Sequence, residues 1–203
     1  MNARILFWDV DTQIDFMRPS GKLYVPQAES IIENLKALTR YGSDIGHLMS
    51  GSVDAHIPED SEFVNFYEHC VRGTPGQKKI PETLLGEPLY VPTVQLTYGQ
   101  IEEVAAHRVQ VIFEKQTTDC GTNPNVAAYA RKVGAEKAVV YGVVTEICVD
   151  KAVRHLKDIG IDVVVVKDAI KELDSEKMER VFMNWEFIGA RFATTADILQ
   201  GRF

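Results

Sequence analysis

AVVYGVVTEICVD, residues 138–150, is an apolar run that stops at Thr145 and Glu146 and then reaches a cysteine, Cys148. A near-continuous apolar run bounded by polar residues marks a strand covered on both faces. The period then changes, because Val149, Ala152, Val153 and Leu156 share a face at helical spacing. A strand feeding directly into a helix is half of a βαβ unit, and the same alternation recurs along the chain. RILFWDVD (4–11), DIGHLMS (44–50), VQVIFEK (109–115) and DVVVVKD (162–168) read as further strands, with ARFATTADI (190–198) as a weaker sixth. Ile31, Leu35 and Leu38 mark one intervening helix, and Val181, Phe182 and Trp185 mark another. Strands alternating with helices imply right-handed crossovers and parallel pairing. The expected fold is a three-layer α/β/α domain with a mostly parallel, Rossmann-like sheet of about six strands. Residues 1–203 are expected to form a single domain, with 70–100, rich in proline and glycine, as an insertion or long loop.

The bulk properties narrow the function. A chain of 203 residues, 45% hydrophobic, holds one sizeable core. A net charge of -7 argues against nucleic acid or an anionic membrane as a partner. No apolar run approaches the length of a membrane span, and the opening MNARILFWDV is too short in its apolar part for a signal peptide. Cys70, Cys120 and Cys148 cannot all pair within the chain and form no CxxC knuckle. They read as free thiols of a reducing, cytoplasmic compartment.

In a parallel α/β sheet, ligands bind beyond the carboxyl ends of the strands. Reactive side chains cluster where the strands stop. The first strand ends in Asp9 and Asp11, which share a strand face, so the residues alone leave both open as an acid. The second runs into GSVDAH, the third ends at Lys115, and the fourth leads to Cys148. With Thr145 as N-cap, Cys148 falls in the first helical turn, where free N–H groups favour a thiolate. A neighbouring lysine and carboxylate would complete an activated nucleophile. Asp54, His56 and His69, with Glu62 or Glu59 as a further donor, form a set that suits zinc, iron or manganese.

These residues resemble the isochorismatase-like cysteine hydrolases, and within them the nicotinamidases. DTQIDF (11–16) is similar to the family's D-x-Q-x-D-F signature and selects Asp11 over Asp9. VVTEICVD (143–150) resembles its nucleophile turn, and GSVDAH (51–56) with HCVRGTPG (69–76) resembles its metal segment. The resemblance implies a catalytic triad of Asp11, Lys115 and Cys148. It implies a cis peptide bond between Val143 and Val144, and an oxyanion hole from the N–H groups of Val144 and Cys148. Asp54, His56 and His69 would hold a divalent metal, zinc first, with Glu62 near a further ligand position and no organic cofactor. Phe16, Phe66 and Val143 would contact the substrate, with Gln13 and Thr145 in support. The implied reaction is hydrolysis of a small amide such as nicotinamide to nicotinate and ammonia, by a homo-oligomer. Ile147 stands where the nicotinamidases commonly carry a polar residue or histidine, and Phe66 where they often carry tryptophan. The alternatives are therefore a carbamoyl or ureido amidase, a vinyl-ether hydrolase, or a non-catalytic binding module on the same scaffold. His47, read inside the second strand, and His107 and His155, read on helices, are expected to be structural.

Overall fold

A computed structural model describes residues 4–203. Seven strands form one parallel sheet in the order β3-β4-β2-β1-β5-β6-β7. They are β1 (Ile5–Val10), β2 (Leu48–Asp54), β3 (Leu89–Val91), β4 (Val111–Lys115), β5 (Lys137–Val143), β6 (Asp162–Lys171) and β7 (Arg191–Ala193). The helices that matter here are α1 (Ile14–Met17), α2 (Ile32–Asp44), α3 (Tyr98–Ala106), α4 (Asn125–Val133), α5 (Asp150–Asp158), α6 (Ser175–Phe187) and α7 (Thr195–Leu199).

Strand alternation builds the three layers. On β1, Leu6, Trp8 and Val10 join a core with Val104 of α3, Tyr129 of α4, Val153 of α5 and Trp185 of α6. Phe7 points the other way, into a core with Met17 of α1, Leu35 and Leu38 of α2 and Ile198 of α7. Both faces of the central strands are buried, which is why β5 and β6 read as almost unbroken apolar runs.

Three expectations need correction. The sheet has seven strands because β3 lies inside the 70–100 segment, which also contains the start of α3. The second strand is displaced: α2 continues to Asp44, and β2 takes in Gly51, Ser52 and Asp54. His47 accordingly precedes β2, where it stacks on Phe7 with ring centroids 5.3 Å apart. The polar look of Gly51 and Ser52 hides a strand whose backbone must pass close to β1. A Cβ on Gly51 would sit 2.1 Å from the Asp9 carbonyl oxygen. Finally, 190–198 divides into β7 and α7, because Thr194 and Asp197 form a capping box that starts a helix there.

The chain order places the reversal of strand order at the centre: β1 has β2 on one side and β5 on the other. The carboxyl ends of β1, β2, β4 and β5 are thus neighbours, where such sheets place ligands.

Candidate active site

Parallel register brings the polar strand ends together. Asp54 and Lys115 are direct partners at the ends of β2 and β4, and Val10, next to Asp11, pairs with Ser52. Asp11 has left-handed backbone, φ 48°, and its N–H donates to the Ser52 carbonyl at 3.1 Å. Its Oδ1 accepts the Ser52 hydroxyl at 2.7 Å. Lys115 then gathers the cluster. Its Nζ lies 2.9 Å from Asp11 Oδ2 and 3.7 Å from Cys148 Sγ, donates to the Thr117 carbonyl at 3.0 Å, and pairs with Asp54 Oδ1. All four side chains are buried.

Cys148 sits in one wide, π-helical turn, Thr145–Val149, that precedes α5. The Val144 carbonyl accepts the N–H of Val149 at 3.0 Å, five residues on. Thr145 is therefore not the N-cap: Val144 flanks the turn, and the buried Thr145 hydroxyl has no hydrogen-bond partner. Nor does its setting favour a thiolate at Cys148. Burial, with the carboxylates of Asp11 and Asp54, pushes its thiol well above the usual range, against the pull of Lys115. Burial also raises Asp11, against Lys115. Burial works to lower Lys115, but Asp11 and Asp54 outweigh it and hold the ammonium charged. The arrangement is a thiol beside a carboxylate of raised proton affinity, with a fixed cation between them.

The Val143–Val144 peptide bond is cis. Val144 and Cys148 both line a pocket of ≈ 440 Å³, with Phe16 and Phe66 among its walls. Val143 does not line it: its side chain is fully buried in the core with Tyr141 and Val164, so its expected substrate contact is not made by the side chain. Leu23, Val25, Ile147 and Leu173 make the pocket largely apolar, and Asp54, Glu62 and His69 supply its polar side. Among the described residues, no lysine or arginine lines it.

Asp54, His56 and His69 offer donor atoms within 4.8 Å of one another. Their surroundings fit a divalent ion. His69 Nδ1 is engaged with the Tyr67 carbonyl at 2.7 Å, which leaves Nε2 facing Asp54 Oδ2 at 3.6 Å. His56 is fully buried and its Nε2 has no hydrogen-bond partner; Nδ1 faces Asp60 Oδ2 at 3.1 Å, off hydrogen-bond geometry. Glu62, also on the pocket, has one buried unpaired oxygen, and burial with the charge of Asp54 lifts its carboxyl to about 7. Gln13 braces this set, accepting the Asp54 N–H at 2.7 Å and donating to the Asp54 carbonyl at 2.8 Å.

Several residues here escaped the sequence reading. Asp60, four residues past His56, stands behind that imidazole, and Phe63 packs on both histidines at 5.1 and 5.7 Å. Asp15 joins two of the motifs: its Oδ2 accepts the Cys70 N–H at 2.7 Å, beside His69. A Cβ on Gly76 would lie 2.2 Å from the Asp15 carboxylate, so that motif position has room only for glycine. Asp9 has a different partner. Its Oδ2 takes Lys79 Nζ at 2.7 Å and the Thr12 hydroxyl at 3.0 Å, away from the cysteine. Cys70 and Cys120 are buried and line no part of the pocket.

Comparison with known proteins bears on the fold. A family model described as Isochorismatase domain matches residues 99–197, which carry Lys115 and Cys148. The pyrazinamidase of Pyrococcus horikoshii, solved in complex with zinc, superposes with a TM-score of 0.76 at 24% identity, covering 94% of this chain and 99% of that one. The chain has the isochorismatase-like hydrolase fold. The nicotinamidase/pyrazinamidase of Bacillus subtilis gives 0.77 at 19% identity over 94% and 99% of the two chains. The N-carbamoylsarcosine amidase of Thermoplasma acidophilum gives 0.74 at 18% over 95% and 97%. No curated protein sequence matches significantly. These isochorismatase-like relatives span different amide substrates, so fold alone does not choose among them.

Proposed function

We propose that this chain is a cysteine-dependent amidohydrolase of a small uncharged amide, with nicotinamide, giving nicotinate and ammonia, as the first substrate to test. The observation that carries the reading is the Lys115 ammonium, 2.9 Å from the Asp11 carboxylate and 3.7 Å from the Cys148 thiol, beside an apolar pocket. As Cys148 Sγ attacks the amide carbonyl carbon, Asp11 accepts the thiol proton, and Lys115 balances the charge passing between them. The N–H groups of Val144 and Cys148 meet the developing oxyanion. Asp11 returns its proton to the leaving nitrogen as the C–N bond breaks, and ammonia departs from a thioester. Asp11 then takes a proton from water as its oxygen attacks the thioester carbonyl, and hands that proton to Cys148 Sγ as the C–S bond breaks, which frees the acid and restores the thiol. Phe16 and Phe66 hold the flat body of the substrate.

Asp54, His56 and His69, with Glu62 in reach, would hold a divalent ion, zinc by its donor set, with iron or manganese as alternatives. Bound there, it supplies a Lewis-acidic template for a substrate lone pair.

Carbamoyl or ureido amidase activity is the second reading, motivated by the Thermoplasma acidophilum relative. An ammonia-release screen over nicotinamide, pyrazinamide and ureido amides, with and without chelator, tests the proposal. Release from nicotinamide that disappears in Cys148→Ala supports it. Full turnover by that variant ends it.

A further inference from the structure

Glu146 belongs to the nucleophile turn, between Thr145 and Cys148, yet the chemistry above leaves it without a task. Its half-buried side chain is engaged away from the thiol, on the chain that links β6 to α6. Glu146 Oε1 accepts the N–H of Leu173 at 3.0 Å and that of Asp174 at 2.8 Å, while Oε2 lies 3.3 Å from the Leu173 N–H. Two backbone donors just ahead of a helix are thereby satisfied by one carboxylate. Asp174 in turn caps α6, accepting the N–H groups of Glu176 and Lys177 at 3.1 Å each.

The residue that this clamp fixes in space is Leu173. It lines the pocket with Ile147 and Cys148, yet its side chain is 49% exposed. An apolar side chain held at a pocket rim and only half covered gains from any apolar body that enters beneath it. The far part of α6 is secured separately, with Trp185 fully buried and its Nε1 donating to Asp150 Oδ1 at 2.8 Å. Loss of Glu146 thus frees the linking loop and leaves the helix docked.

We infer that Glu146 is a positioning residue that holds Leu173 at the pocket rim, and that Leu173 selects substrates with an apolar body. The inference rests on the hydrolase reading only in taking this pocket as the substrate site.

The test uses two alkylating amides on the intact protein, iodoacetamide and its N-benzyl derivative, with the rate of modification at Cys148 read by peptide mass spectrometry. No turnover is needed. The wild-type protein should favour the benzyl reagent. Leu173→Ala should reduce that preference about fivefold, the scale of partial burial of one leucine side chain. Glu146→Ala should reduce it similarly. Glu146→Gln should retain it, because a single amide oxygen can replace Oε1 in both of its bonds. A merely structural glutamate would not link its own variant to the leucine's in this ratio. An unchanged preference in Leu173→Ala, which leaves the backbone clamp intact, overturns the inference, as does an unchanged preference in folded Glu146→Ala. Selective labelling with no ammonia released from any amide would defeat the amidase reading alone, and the labelling ratios would still decide this one.

Discussion

Two aspartates at the end of the same strand each meet a buried lysine, and the two pairs have different chemistry. Asp9 and Lys79 are 2.7 Å apart, with the Thr12 hydroxyl bonded to both. That network tethers the 78–83 loop to β1 and touches no pocket-lining cysteine. Asp11 and Lys115 are 2.9 Å apart, but Lys115 also faces Asp54 and the Cys148 thiol. A closed pair of charges stabilises; a cation shared among two carboxylates and a thiol lets a proton move with little rearrangement. The company a pair keeps, more than its distance, separates structure from reactivity.

The largest effect should come from removing the thiol. Cys148→Ala should cut amide turnover at least about ten-thousandfold, with unchanged thermal stability and metal content by elemental analysis. The two aspartates then break the comparison directly. Asp11→Asn should lower kcat about a thousandfold with little change in urea midpoint, because Asp54 still pairs with Lys115. Asp9→Asn should destabilise by about 3 kcal/mol, since Lys79 is left buried without its partner, while kcat per folded molecule persists. Reversed outcomes would put the catalytic acid at Asp9.

Metal affinity sharpens the contrast at a smaller scale. His56→Ala should weaken zinc binding by at least about a hundredfold, and Asp60→Ala, behind that ring, by about tenfold. Equal losses would make Asp60 a ligand in its own right. The smallest effect concerns His47, a half-buried ionisable group at the opposite end of the sheet with no ion-pair partner among the described residues. Burial lowers its pKa below the usual 6.5. The unfolded chain therefore binds this proton first, and stability falls as pH drops through 6.5 towards the folded value. His47→Gln should flatten the urea midpoint against pH in that window. An unchanged slope would assign the acid sensitivity elsewhere.

The apolar runs of β1, β5 and β6 were legible because both faces of a parallel strand need covering. β2 was legible only in its first residues, since Gly51 and Ser52 look like a turn; the close approach of β1 that demands glycine is a tertiary fact. The short β3 was hidden among the breakers of the 70–100 segment. Asp11, Lys115 and Cys148, and likewise Asp54, His56 and His69, were legible as strand-end chemistry and motif, and the structure brings each set together. Asp9 could be set aside only by motif, and its partner Lys79 gave no local signal. Asp60, Asp15 and Glu146 were missed as supports, because their bonds run to backbone or to imidazoles set by the folded path of the chain. The same limit applied to Thr145, whose N-cap role failed once the turn proved wider than an α-helical start.

The contact between Asp15 and Gly76 has a consequence for how this chain can vary. Any side chain at 76 collides with a carboxylate that itself holds the Cys70 N–H beside His69. Neither position can drift alone: an alanine at 76 is tolerable only with a shorter residue at 15, and that exchange removes the acceptor steadying the neighbouring histidine. In a randomised library selected for activity, the two sites should be recovered as one unit of inheritance, although the chain carries them in separate segments.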